Sequence, residues 1–248
     1  MSASEASAWL IETKLHPPLA RDDIIRRLRL EERLKDAVSS LPVALLSAPA
    51  GYGKTTMLAS LPRLLPGYPL AWVTLDAEDN DPVRFVGLLV AAIQRQNAEC
   101  GQSAWVWLSG EAADSTGAKR AVGALVNDIL KHMPGPFILV LDDLHLVTEP
   151  AVYMVLEYLF DHQPPGMHIA IGTRSDPPLR LARLAARRRL GEIRRPDLGF
   201  SQSEARELLN GSFGLHLTDE EVAAVQERTE GWPAGLCLLA GPLGRMPT

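Results

Sequence analysis

Short, wholly apolar runs alternate along the chain with longer stretches in which apolar positions recur every three or four residues. The short runs are Pro42–Ala48, Leu70–Asp76, Phe137–Asp143 and Met167–Thr173, with a weaker fifth at GEIRRP, near Gly191. Apolar at successive positions, they predict strands buried on both faces, as in a parallel sheet. Between them Phe85, Leu88, Leu89, Ala92 and Ile93 keep helical spacing, and so do Val122, Leu125, Val126, Ile129, Leu130 and Met133. Both helices are expected to cover the sheet. The stretch Asn97–Gly117 has mixed composition and predicts an excursion with a short helix or loop, its Trp105 and Trp107 serving as packing residues. After Phe200 the texture becomes helical only. SQSE (Ser201–Glu204) and TDEE (Thr218–Glu221) both fit the capping box, in which a hydroxyl and a carboxylate three residues on satisfy free amides at a helix start. The pattern therefore divides the chain into an N-terminal arm and helix (1–36), an α/β domain (37–200) and a small all-helical subdomain (201–248). GPLGRMPT at the end follows an apolar helical run with no further element, and reads as a cut within a longer protein.

Composition narrows the classes. Thirty acidic residues against 25 basic ones give a net charge of −5, so no global positive field draws this chain to nucleic acid, and any such contact is local or lies elsewhere. Cys100 and Cys237, the only cysteines, are too few for a disulfide framework, which fits a reducing compartment and a cytoplasmic location. The opening MSASEASAWLIETKL lacks a basic segment followed by an apolar one, and no window approaches ~20 uninterrupted apolar residues, so neither secretion nor a membrane partner is expected.

The chemistry begins at LLSAPAGYGKTTML (Leu45–Leu58), which resembles the phosphate-binding loop of nucleotide-hydrolysing proteins. A loop between a buried strand and a helix start offers backbone N–H groups and the positive end of the helix dipole to polyphosphate. Small residues are needed where the chain passes close to the anion, and Gly51 and Gly53 meet that need; Ala50 and Tyr52 complete the nucleotide-binding turn. Lys54 is expected to reach the β and γ phosphates, Thr55 to place its hydroxyl on Mg²⁺, and Thr56 to bond the α-phosphate. Ala48 stands where the usual pattern has its first glycine; that glycine mainly opens the turn, so alanine is expected to be tolerated. The second motif is FILVLDDLHLV (Phe137–Val147), a buried strand ending in two carboxylates. Asp142 is placed to hold Mg²⁺ through water and Asp143 to polarise the attacking water. No NKxD-like stretch follows, which favours adenine over guanine.

TKLHPP, SAPAGYGKTT, AWVTLDAEDNDPVRF, VLDDLHLV, GTRSDPPL and EGWPAGL occur in the order found in the large ATP-binding transcription regulators of the LuxR family, the maltose-activator type, which belong to the signal-transduction ATPases with numerous domains (STAND). The resemblance covers nearly the whole chain. It implies a P-loop NTPase of the additional-strand class, with a three-layer parallel sheet and helices on both faces. In that class the strand after the aspartates lies between the other two and carries a polar sensor at its tip, here Thr173 or Arg174, the latter able to bond a γ-phosphate. The resemblance also implies a switch: ADP held in a closed monomer, ATP with an inducer favouring a self-associating form, and inducer and DNA bound through domains outside this chain. It maps a base-contacting proline onto Pro233, which also reads as the first residue of a helix, and makes Ile25 and Arg26 part of the adenine pocket. The competing reading is a free-standing ATPase motor or phosphotransferase of the same fold.

Other segments carry less. The acidic Asp76–Asp81 lacks the glycine and terminal glutamate of a calcium loop and is expected to be a solvated turn capping the next helix. LSGE (Leu108–Glu111) only faintly echoes a transporter-ATPase signature. Arg180–Arg195 is open to nucleic-acid binding or contact with a neighbouring subunit's nucleotide, but with no aromatics interleaved a solvated helix face is expected. The six histidines show no ligand spacing; His145, just after the paired aspartates, is the one to watch.

Overall fold

The computed structural model describes residues 10–19, 25–109 and 114–243. Five strands, β1 (Val43–Ser47), β2 (Leu70–Thr74), β3 (Phe137–Asp142), β4 (Met167–Thr173) and β5 (Leu190–Arg194), form one parallel sheet in the order β2-β3-β4-β1-β5. The strand after the aspartates thus lies between the other two, as expected. Alternate side chains feed two cores. Leu45, Val73, Leu139 and Ile169 point to one face, Leu46, Trp72, Val140 and Ala170 to the other.

The first face is covered by α4 (Pro82–Gln94), α6 (Ser115–His132) and α7 (Pro150–Asp161), with the short α5 (Gln102–Leu108) packed on α6; the second carries α1 (Leu28–Ser40), α2 (Lys54–Ala59) and α3 (Leu61–Leu64). Three layers result. Helix α1 buries Leu30, Leu34 and Val38 against the sheet and runs across position 36. The apolar stripe on α6 is narrower than its sequence suggests: Leu130 is exposed. Trp105 packs and donates to Gln94, whereas Trp107 lies at the surface under the Arg120 guanidinium. After α8 (Leu181–Ala186) and α9 (Arg195–Leu198), both expected capping boxes form, at Ser201–Glu204 for α10 (Gln202–Arg206) and Thr218–Glu221 for α11 (Asp219–Arg228), and α12 (Pro233–Leu243) closes the described chain. These last helices share a third, small core of Ala205, Leu208, Leu209, Val222, Leu236 and Ala240, which Ile25 joins.

Two expectations need correction. Asp76–Asp81 is only partly a solvated turn: Glu78 and Asp81 are exposed, but Asp79 is fully buried. Lys14 Nζ donates to both its carboxylate oxygens at 2.9 and 2.7 Å and pairs with Asp76 at 2.7 Å, and Arg84 Nε reaches Asp79 at 3.2 Å. Only Asp81 caps α4 as expected, accepting from Arg84 N at 2.8 Å. Nor is Arg180–Arg195 one helix face: it runs from α8 through a turn into the edge strand β5, and Arg180 and Arg183 pair with carboxylates of α7. The LSGE tetrapeptide lies partly outside the described residues.

Candidate functional site

Strand β1 stops at Ser47, and the chain turns through Ala48–Gly53 into α2. Gly51 and Gly53 have φ of +79° and +78°, which a side chain would oppose. At Gly51 space is also lacking: a Cβ there would lie 2.6 Å from Ala234 Cβ and 2.7 Å from Trp232 Nε1. Ala48 is buried and donates its N–H to Thr173 O, so the turn opens on the sheet without a glycine.

Lys54 folds back over the loop, donating to Ala48 O at 2.7 Å and Pro49 O at 3.0 Å. Burial pushes its ammonium below the ordinary lysine value and Arg174 adds to this, while Asp143 and Asp142 work in the opposite direction. Asp142, at the end of β3, is almost fully buried, and burial raises its carboxyl above the usual range although the Thr55 hydroxyl and the Asp143 N–H both donate to it. Gly172 of β4 leaves the room: a Cβ there would stand 2.3 Å from Asp142 Oδ1. Asp143 follows in the left-handed region, φ +57°, with its carboxylate partly exposed. At the tip of β4, Thr173 is buried and donates to Ser175 O at 2.6 Å, while Arg174 is exposed yet close enough for its charge to act on Lys54.

The Thr55 hydroxyl and the Asp142 carboxylate therefore share one spot at the loop's mouth. Among the described residues no group of three or more His, Cys, Asp or Glu could cage a metal. Two hard oxygens beside a phosphate loop fit Mg²⁺, which keeps several waters and takes phosphate oxygens for its other positions.

The outer side of the loop is gripped by the helical subdomain. Trp232 Nε1 donates to Ala50 O at 2.9 Å, and Ala234 N, in the first turn of α12, donates to Gly51 O at 3.1 Å. Arg195 donates to the Tyr52 hydroxyl at 3.0 Å and pairs with Glu230. Pro233 is the first residue of α12, between the two donors. A concavity of about 670 Å³ opens beside this contact, walled by Ala50, Tyr52, Arg195, Trp232 and Leu239 among others. Ile25, Arg26 and Pro233 stand outside its wall: Ile25 is in the helical core, and Arg26 is exposed and paired with Glu31. Its neighbour Arg27 is the buried one, donating to Leu198 O, Gly199 O and Glu204 and so pinning the connection between sheet and helices. Sequence reasoning missed Arg27 and Gly172, and had Arg195 only as the last residue of the Arg180–Arg195 run. Of these only Gly172, a glycine inside a strand, carried a signal of close approach.

A phosphate loop after β1, paired carboxylates after β3 and the inserted β4 define a P-loop ATPase domain. The profile of the family described as "AAA ATPase domain" matches residues 17–171, more than half of the chain. The chain is 32% identical over 235 residues to the HTH-type transcriptional regulator MalT of Yersinia enterocolitica, covering 93% of this chain and 25% of that protein. It is 32% identical over 234 residues to that of Cronobacter sakazakii, with the same shares covered. It thus spans a quarter of the length of the curated relatives it matches. Among solved structures, the Walker-type ATPase PABY2304 of Pyrococcus abyssi superposes with a TM-score of 0.55 at 17% identity, over 95% of this chain and 73% of its own. The replication initiator DnaA bound to AMPPCP and single-stranded DNA gives 0.51 at 16%, over 93% and 66%. At such identities these two speak for the fold alone. The chain belongs to the AAA ATPase domain family, and over nearly its whole length it is similar to the ATPase module of MalT regulators.

Proposed function

We propose that this chain is the nucleotide-controlled module of a multidomain, cytoplasmic transcription activator. It binds ATP or ADP with Mg²⁺ and uses slow hydrolysis to reset a switch that governs self-association; inducer and DNA are bound by segments beyond this chain. The observation that carries the reading is the grip of α12 on the phosphate loop. Ala50, Gly51 and Tyr52 each bond to the helical subdomain or to Arg195, so a nucleotide that reshapes the loop acts directly on that subdomain.

In the residues' terms, Lys54 leaves the carbonyls of Ala48 and Pro49 to reach the β and γ phosphates, and backbone N–H groups of Gly51–Thr56 cradle the anion. Thr55 and Asp142 hold the Mg²⁺, which neutralises charge on the phosphates when bound. Asp143 accepts the proton of the attacking water as its oxygen bonds to the γ-phosphorus and the bond to the ADP oxygen breaks. Arg174 supplies positive charge at the γ-phosphate.

Magnitudes fit a modest latch. Two hydrogen bonds to the loop at about 1 kcal/mol each and an exposed ion pair at under about 1 kcal/mol hold the closed form by roughly 2–3 kcal/mol. Moving an equilibrium from 1:99 to 99:1 takes about 5.5 kcal/mol, so the nucleotide's own contacts supply the rest. The test is to denature the purified protein, identify any released nucleotide by chromatography, and measure turnover and sedimentation with ADP and with ATP. Near-stoichiometric ADP, very slow turnover and ATP-dependent association are expected. An empty site with rapid Mg²⁺-dependent turnover and no association would replace this reading with the motor or phosphotransferase one.

A further inference from the structure

Strands β2 and β3 are hydrogen-bonded neighbours, with Thr74 in register with Asp142, so the loops leaving their ends run next to each other at one edge of the sheet. One side chain joins the two loops. Asn80, the only amide in the acidic stretch after β2, donates to Leu146 O at 3.1 Å and to Ala77 O at 2.9 Å. Its Oδ1 accepts from the N–H groups of Thr148 and Glu149 at 2.6 and 2.8 Å and from the Thr148 hydroxyl at 3.3 Å. Carbonyls on one side and N–H groups on the other need a group that both donates and accepts. A carboxylate could only accept, which accounts for an amide standing among Asp76, Glu78, Asp79 and Asp81.

The contact bears on Asp143. Its φ of +57° lies in the left-handed region, which a non-glycine residue keeps only where its surroundings hold it there. From Asp143 the chain enters the 3₁₀ turn Leu144–Leu146, closed by Leu146 N to Asp143 O at 3.0 Å and Val147 N to Leu144 O at 3.1 Å. Tyr153 of α7 holds this turn from the core, donating its hydroxyl to Val147 O at 2.7 Å, and Asn80 holds it from the side of β2. The loop that presents Asn80 is itself fixed, since Asp79 accepts from Asp76 N at 2.8 Å and from Lys14. Asn80 is half-buried and its partners Thr148 and Glu149 are exposed, so water can replace these bonds at small cost in stability. Water cannot keep two loops at a set separation.

We propose that Asn80 is a positioning residue for ATP hydrolysis: it fixes the turn after β3, and through it the direction in which Asp143 presents its carboxylate to the attacking water. The inference rests on the ATPase reading above. Nucleotide is held by Lys54 and the phosphate loop, which Asn80 does not touch, so its loss falls on the chemical step and not on affinity. A misplacement of about 1 Å at a reacting group is enough to cost up to about 100-fold.

The test compares Asn80→Ala, Asn80→Asp and Lys14→Met by single-turnover ATP hydrolysis, affinity for Mg²⁺–ATP and thermal melting. Amide hydrogen exchange and the backbone ¹³C shifts of Asp143 are read in the nucleotide-free chain. Asn80→Ala is expected to hydrolyse ATP roughly 10- to 100-fold more slowly, with affinity within about threefold of the parent and a melting temperature within about 4 °C. Exchange should quicken at Thr148 and Glu149, and the Asp143 shifts should move away from their left-handed values. Asn80→Asp, which still accepts from Thr148 and Glu149 but cannot donate to Leu146 O, should lose an intermediate part of the rate. Lys14→Met, which loosens the loop without reaching the turn, should keep the rate of the folded protein. Adding Asn80→Ala to Asp143→Asn should cost nothing more, because the group to be positioned is already gone.

A full rate in Asn80→Ala, a loss that adds to that of Asp143→Asn, a rate loss matched by an equal loss of affinity, or unmoved Asp143 shifts would each overturn the inference while leaving the ATPase reading intact. Failure of the unaltered chain to bind or hydrolyse ATP would overturn both, and is recognised before any variant is made. Should Asn80→Ala not fold, Asn80→Asp decides, and a full rate in that variant overturns the proposal.

Discussion

Asp76–Asp81 follows β2 and Asp142–Asp143 ends β3, with Thr74 in register with Asp142, so two acidic clusters stand side by side at one edge of the sheet. In sequence they look alike. In the fold the first is satisfied from within: Lys14 and Arg84 neutralise Asp79, Asp76 accepts from Glu78 N, and Asp81 caps α4. Burial works against the Asp76 carboxylate, but the Lys14 and Glu78 hydrogen bonds outweigh it and hold its pKa below the usual range. The second cluster is left short. Burial raises Asp142, and its neighbour Asp143 makes matters worse at the same spot. A cluster that has used up its counter-charges is scaffold, whereas one that still lacks them fits the role proposed above, in which a cation arrives from outside.

The largest effect expected from this contrast is on binding. Lys54→Ala removes the one loop side chain that carries charge to the phosphates, and ATP and ADP affinities measured by calorimetry should fall by at least about 100-fold; unchanged affinity would dismantle the phosphate-loop assignment. Asp143→Asn should retain ATP binding and lose roughly 10²–10⁴-fold in single-turnover hydrolysis. An unchanged rate would remove Asp143 from the chemistry.

The satisfied cluster is expected to behave in the opposite way, through stability alone. Breaking a buried ion pair from one side costs about 3–5 kcal/mol, and because Arg84 stays on Asp79, Lys14→Met should cost roughly 2–3 kcal/mol. For a domain of this size that lowers the melting temperature by about 4–12 °C, with nucleotide affinity of the folded protein unchanged. A tenfold loss of affinity without destabilisation would move Asp76–Asp81 from scaffold to site.

How much of this was legible beforehand follows the same division. Strands apolar on both faces declared themselves, and so did the loop and the paired aspartates, because each is a local pattern with a local physical cause. The burial of Asp79 was not legible, since its partner Lys14 lies 65 residues away. Arg26 and Arg27 are adjacent arginines that sequence cannot rank; only the packed fold shows Arg27 turned inward to Leu198, Gly199 and Glu204 and Arg26 outward. The role of Trp232 was equally hidden. A tryptophan before a helix start reads as packing until the carbonyl of Ala50, 182 residues earlier, is seen beneath its indole N–H.

The smallest effect, and the most diagnostic, belongs to Asp142. Its folded pKa is raised, so over the interval between the ordinary carboxylate value and the raised one the native state holds a proton that the unfolded chain has released. Stability contributed by this group therefore falls as pH rises through that interval and stays low above it. Asp142→Asn keeps the shape, still fits above Gly172, and has no charge to bury. The nucleotide-free variant is expected to melt higher than the parent at neutral pH, by roughly 2–4 °C if about 1 kcal/mol is relieved, and the two curves should converge toward pH 3. With Mg²⁺ and ATP the order should reverse, because the parent gains stabilisation from bound ligand in proportion to RT ln(1 + [L]/Kd) and the variant, lacking the carboxylate, gains little. Thermal melts across pH with and without Mg²⁺–ATP read both halves. If Asp142→Asn were destabilised without nucleotide and still stabilised by it, Asp142 would be a satisfied structural residue like Asp79, and the distinction between the two clusters would fail.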